Sequence, residues 1–178
     1  MKRNSVAYIV KVGVLSALAL IIYFVEFPIL PAFPWLMVDF SEVPVLLGGF
    51  ALGPVAGIII ELIKNILHFM FKGATGGVGE MANFLLGVSF TLPAFLMYRQ
   101  RKNRVRVIIG MAIGLVFACV MSAALNLYVF IPLYYPALEN VWGYIIGGSV
   151  PVTAIKYALN GIVVFMVYPY LTKLLHKA

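Results

Sequence analysis

The sequence predicts an all-α integral membrane protein, a bundle of six transmembrane helices with both termini on the cytoplasmic side. Three observations lead there. Of the 178 residues, 63% are hydrophobic and only 11% charged, against roughly 25% charged in soluble domains. Mean hydropathy is +1.05, and long apolar runs recur from end to end, so residues 1–178 read as one membrane domain without a separate soluble part. The net charge of +7 is unevenly placed: ten of the 13 Lys and Arg fall at three loci, Lys2–Arg3–Lys11, the 99–106 cluster and Lys173–Lys177. That is the positive-inside pattern of a membrane protein, not the basic stripe of a nucleic-acid binder.

The first span is expected over about residues 7–27. It follows a basic start, as a signal peptide does, but the apolar run is too long and lacks a small-x-small cleavage site, so it reads as a retained helix. The connection "EFPILPAFPWLMVDFSEVP" is rich in proline and aromatics and carries Asp39 and Glu42. Proline cannot continue a helix, so this reads as a long loop suited to a membrane interface or a lid. Ser41 is placed to cap a second helix, with Pro44 in its first turn. That helix is short and stops at Gly53-Pro54, well under the roughly 20 residues that cross a bilayer core. A third helix is expected over about 54–71, then a turn at "KGATGG". The fourth runs from near Val78 to "YRQRKNRVR", the fifth over about 107–130. A second long aromatic connection, "IPLYYPALENVWGYIIGGS", precedes a sixth span over about 150–171. With the N-terminus inside, the 99–106 cluster and the C-terminal lysines also fall inside, and Asp39, Glu42, Lys72, Glu80 and Glu139 fall outside.

Polar groups inside the spans carry the functional information, because each needs an internal partner or a wet cavity. The third helix presents Glu61, Lys64, Asn65 and His68 on one face, Glu61 and Lys64 at pairing distance (i,i+3). Such a stripe either glues helices together or touches a ligand, and the first is the commoner use. His68 has no second His or Cys at metal spacing, so no metal site is assigned. The fourth helix opens with Gly79, Glu80 and Asn83 behind Gly76 and Gly77; without a P-loop lysine this is not a nucleotide-phosphate site. The fifth holds Ser122 and Asn126. The sixth holds Thr153, Lys156 and Asn160 along one face, although a charge at that depth costs about 3 kcal/mol. Lys156 either snorkels outward or faces a pocket. Glu80, Asn83, Asn126, Thr153 and Lys156 converge at one depth beneath two aromatic connections, which fits a pocket for a neutral, planar, hydrogen-bonding ligand. On the first helix Gly13 and Ala17 form a small-xxx-small pair that either packs within the bundle or marks a docking face. The lone Cys119 reads as packing.

Four stretches resemble the substrate-binding S components of energy-coupling factor (ECF) vitamin transporters, most closely the riboflavin-specific type: "VDFSEVPVLLGGFALGPVAGIIIELIKNILHF", "GEMANFLLG", "NLYVFIPLYY" and "PVTAIK". The resemblance covers most of the chain. It implies a six-helix bundle in a prokaryotic plasma membrane that captures riboflavin from outside and is not itself an enzyme. It also implies work with a transmembrane coupling subunit and two cytosolic ATPase subunits, in the lipid bilayer and without nucleic acid. Asn126 and Lys156 correspond to the family's amide and lysine ligand contacts, and Gly79, Glu80 and Asn83 to its fourth-helix binding segment. Asp39 and Phe40 lie in the first loop that caps the pocket, and Gly13 and Ala17 match the docking face. No catalytic residue and no cofactor beyond the transported ligand is implied. The family's Pro-x-Asn-x-x-Lys-Gly carries Thr153 in place of Asn and Tyr157 in place of Gly; Asn160, one turn on, is placed to compensate. Two other readings stand beside this one: an S component for another flavin or vitamin (FMN, thiamine), or a small intramembrane enzyme using Glu61 and His68 as an acid–base pair.

Overall fold

The computed structural model describes residues 5–73 and 75–175, with the backbone path alone given for 169–175. Lys2, Arg3, Lys177 and the side chain of Lys173 lie outside the described residues. Helix α1 (Val6–Phe24) starts at Ser5, whose hydroxyl accepts from the Tyr8 backbone N–H at 3.3 Å. Tyr8, Val12, Ser16, Ala19, Leu20 and Tyr23 recur every three or four residues and are buried, while Val6, Ile9, Val10, Val14 and Ile21 point outward.

The first connection is not an open loop. Strand β1 (Phe27–Pro28) pairs antiparallel with β2 (Met37–Val38), with Phe27 opposite Val38 and Pro28 opposite Met37. The segment between them places Phe33 and Leu36 against a small cluster of Ile131, Tyr144 and Ile145. The hairpin is therefore folded back over one end of the bundle.

Helix α2 (Glu42–Leu52) has 11 residues, about 16 Å at 1.5 Å per residue, half of a bilayer core. Its shortness is harmless because Glu42, Pro44, Val45, Leu46 and Phe50 are all buried among α1 and the later helices rather than in lipid. Ser41 occupies the N-cap position but does not cap with its side chain; the hydroxyl accepts instead from Lys64 Nζ at 3.0 Å. Glu42, expected outside, is fully buried beside the same lysine. Gly53 ends α2 at φ 105°, a conformation that favours glycine, and Pro54 opens α3 (Pro54–Lys72).

Helices α4 (Val78–Gln100) and α5 (Arg104–Leu125) form a hairpin whose turn carries the basic cluster, and Asn103 caps α5 by accepting from the Arg106 N–H. The two backbones approach closely. A Cβ on Gly110 would stand 2.6 Å from the Cα of Ala94, and one on Gly114 would run into the Phe90 carbonyl.

The second connection is mostly helical, contrary to its sequence reading. Helix α5 continues through a π-helical stretch (Asn126–Phe130) into α6 (Ile131–Tyr134), making one rod of 31 residues. After residues 135–140, α7 (Val141–Tyr144) passes through a second π stretch (Ile145–Ser149) into α8 (Val150–Leu175). Pro132 and Pro151 each follow a π stretch by one residue. Proline cannot donate the usual i→i−4 bond, and the widened turn before it absorbs the loss without ending the rod. Five helices are long and apolar enough to span a membrane, with α2 as the short sixth. Phe50, Ile60, Phe90, Phe95, Ala118, Tyr157 and Val164 form the central packed core.

Candidate functional site

The hairpin and the ends of α1, α3, α4, α5–α6 and α7–α8 enclose a cavity of about 520 Å³, within the range of small-molecule sites. Gly79, Glu80, Asn83, Asn126, Thr153, Lys156 and Asp39 all line it. Seven residues singled out in four separate segments thus share one hollow. Phe40 and Asn160 do not reach the wall. Phe40 lies near the Phe27 ring at 6.4 Å, and Asn160 is fully buried behind the cavity.

The wall has three chemical parts. The first is a hydroxyl–amide cluster where the two π stretches meet. Asn126 Nδ2 donates to the Ser122 carbonyl at 2.8 Å and to Ser149 Oγ at 2.6 Å. Thr153 Oγ1 donates to Ser122 Oγ at 2.9 Å, and Ser122 and Ser149 share a bond of 2.8 Å. Thr153 thus joins the cluster through its hydroxyl.

The second part is a charged strap. Lys156 Nζ lies 2.8 Å from Asp39 Oδ2 and donates to Asn83 Oδ1 at 3.0 Å. Asp39 is held at two further points: its Oδ1 accepts from the Ser41 N–H at 2.8 Å, and its carbonyl accepts from Asn160 Nδ2, also at 2.8 Å. Asn160 therefore compensates nothing in the wall; it ties the hairpin's return strand to α8. Burial works against the charge on Asp39, but Lys156 and then Lys64 outweigh it and hold the carboxyl below the usual carboxylate range.

The third part is the mouth. His68 Nδ1 and Glu80 Oε1 are 3.1 Å apart, and the imidazole stacks on Tyr23 at 3.8 Å. Thr75 Oγ1 accepts from the Gly79 backbone N–H at 2.9 Å, which seats the start of α4. Lys72 pairs with Glu26 at 2.6 Å. Aromatic side chains cover the opening: Trp35 stacks on Tyr135 at 5.3 Å and its Nε1 donates to Tyr144 at 3.2 Å, while Tyr134 donates to the Thr75 carbonyl at 2.8 Å.

Below the cavity lies the seam expected on α3. Lys64 is fully buried, 2.9 Å from Glu42 Oε1 and 2.8 Å from Glu61 Oε2, and Asn65 Nδ2 donates to Glu61 Oε1 at 2.8 Å. Of the four stripe residues, Lys64 joins α3 to the start of α2, Glu61 and Asn65 bond within α3, and His68 alone turns into the cavity. Glu61 and His68 are each committed to a different partner, so the acid–base pair of the enzyme reading is not formed. Among the described residues no group of three His, Cys, Asp or Glu side chains is placed to hold a metal.

Sequence reasoning missed Tyr23, Glu26, Trp35 and Ser149 in the wall. Tyr23 carried a signal, being the last member of the buried stripe on α1. Ser149 carried none, because its segment reads as a loop.

A family model for the ECF transporter, substrate-specific component, matches residues 7–168. The chain belongs to that family. Riboflavin transporter RibU of Staphylococcus aureus (strain TCH60) is 35% identical to it over 175 residues, 95% of this chain and 92% of the relative. Riboflavin transporter FmnP of Bacillus subtilis (strain 168) is 31% identical over 170 residues, 90% and 87% of the two chains. A solved S component of a bacterial ECF transporter superposes with a TM-score of 0.80 at 37% identity, covering 94% of this chain and 96% of that one. As an ECF S component, the chain is a multi-pass membrane protein.

On α1, Gly13 and Ala17 do not pack within the bundle. Ser16 and Ala19 turn into the bundle, whereas Gly13 and Ala17 are exposed, and a Cβ on Gly13 would meet nothing within 4 Å.

Proposed function

We propose that this S component captures riboflavin in the cavity beneath the hairpin and hands it to a separate ATP-driven coupling module. The observation that carries the reading is the pairing of aromatic cover with a hydroxyl–amide wall, at Trp35, Tyr135 and Tyr144 on one side and Ser122, Asn126, Ser149 and Thr153 on the other. Riboflavin offers a flat ring with carbonyl and N–H edges and a chain of hydroxyls, which such walls satisfy without net charge. The names of the two relatives support the same cargo. Gly79, Glu80 and Asn83 on α4, Asn126 on the rod of α5, Thr153 and Lys156 on α8 and Asp39 in the hairpin are the proposed binding set.

The chain has no Walker motif, so energy must come from elsewhere. In this reading the exposed Gly13–Ala17 strip of α1 meets a transmembrane coupling subunit, which two cytosolic ATPases drive. The cavity faces outward and the basic 99–106 turn faces the cytoplasm. Purified protein from flavin-producing cells is expected to be yellow and to quench the fluorescence of added riboflavin. A colourless sample that leaves that fluorescence untouched overturns the assignment.

A further inference from the structure

The two cations in the cavity wall are both already neutralised. Lys156 is 2.8 Å from Asp39, and its side chain is only 10% exposed. Lys72 is 2.6 Å from Glu26, and its side chain is 49% exposed, so it stands at the opening. Glu80, in the same wall, adds a further carboxylate beside His68. Glu26, Asp39 and Glu80 thus outnumber Lys72 and Lys156 among the charged groups lining the hollow.

A phosphate ester carries a charge of roughly −2 at neutral pH. It loses much hydration on entering an apolar cavity and is held only where unpaired Arg, Lys or backbone N–H groups replace that water. Its terminal group would therefore remain at the wettest point, the opening, where the available cation is Lys72. That ammonium is spent on Glu26. We infer that Glu26 is a specificity-determining residue: by neutralising Lys72 at the mouth it makes the cavity select a neutral flavin over the same flavin bearing a terminal phosphate. The inference rests on the riboflavin reading above.

The carboxylate has two effects with the same sign. Among the described residues at the mouth it removes the cation placed to receive a phosphate, and it adds a like charge that repels the dianion. A neutral hydroxyl at that position loses nothing to either effect, and it gains a carboxylate that can accept a hydrogen bond.

The test is the ratio of dissociation constants for FMN and riboflavin, measured by flavin fluorescence quenching on the full chain in detergent. The unaltered protein is expected to bind riboflavin at least about tenfold more tightly than FMN, the discrimination that one unfavourable charge contact supplies. Glu26→Gln frees Lys72 and should shrink that ratio about tenfold; Glu26→Asp should restore it. Lys72→Gln leaves the carboxylate alone at the mouth and should widen the ratio, which keeps the test decisive if Glu26→Gln fails to fold. A ratio that stays constant across Glu26→Gln and Lys72→Gln while riboflavin still binds overturns this inference alone. Failure of the unaltered protein to bind either flavin overturns the riboflavin reading, and the inference with it.

Discussion

Lys156 on α8 and Asp39, just after the return strand of the hairpin, form a buried ion pair, with Nζ 2.8 Å from Oδ2 and the aspartate side chain 1% exposed. This contact answers the cost of placing a lysine inside an apolar span: its charge is matched by a carboxylate carried in from the connection, and Asn83 accepts a second bond. The same contact joins the first connection to α8 in the cavity wall. The tie that makes the lysine tolerable also holds the hairpin in place.

Removing one partner of such a pair strands the other charge, which costs about 3–5 kcal/mol, whereas removing both leaves no orphan. Lys156→Met is therefore expected to lower thermal stability in detergent sharply, and the double variant with Asp39→Asn to recover a good part of the loss. A double variant as unstable as the sum of the two singles would show that the residues do not act as a pair.

Asn126 binds across the two π stretches, to Ser122 and Ser149. Asn126→Ala leaves Ser149 without that donor and opens the seam between the rods at the cavity wall. Riboflavin affinity should fall by about 1–3 kcal/mol, as for loss of one partner of a buried polar group. Titration by fluorescence quenching measures it, and full affinity in the variant would place the flavin elsewhere.

Gly114 is a contest between two effects. Replacing a helix-interior glycine by alanine gains up to about 1 kcal/mol in propensity. Here the new methyl runs into the Phe90 carbonyl, and the α4–α5 pair must separate. Overpacking of that kind costs about 1–3 kcal/mol, so Gly114→Ala is expected to melt at a lower temperature than the parent. A higher melting temperature would mean that the helices can part freely.

Gly13 and Ala17 lie on the exposed side of α1, where a larger side chain meets nothing of this chain. Ala17→Trp should leave flavin binding by the isolated protein intact and abolish flavin uptake by cells that supply the coupling module. Co-purification with the coupling subunit distinguishes the causes: if the complex still forms, the strip is not the docking face.

Much of the fold was open to a reader of the chain because its determinants are local. Hydropathy over some twenty residues sets a span, and Gly53-Pro54 sets a sharp break between α2 and α3. The second connection was misread for an equally physical reason: Pro132 and Pro151 signal helix ends locally, yet π turns before them let the rods continue. That misreading hid Ser149. The exposed place of Gly13 could not be read at all, since a small residue looks the same on either face of an apolar helix.

By itself the sequence determined that this chain lives in a bilayer, which spans carry polar groups, and that those groups need company, because the cost of an unsatisfied polar atom in hydrocarbon is a property of each segment. Only the tertiary structure decided who keeps company with whom. It set Asp39 against Lys156, Glu42 and Glu61 against Lys64, and Glu26 against Lys72. Such partners come from distant segments, and the strength of a charge contact depends on separation in space and on burial, neither of which is written in the order of residues.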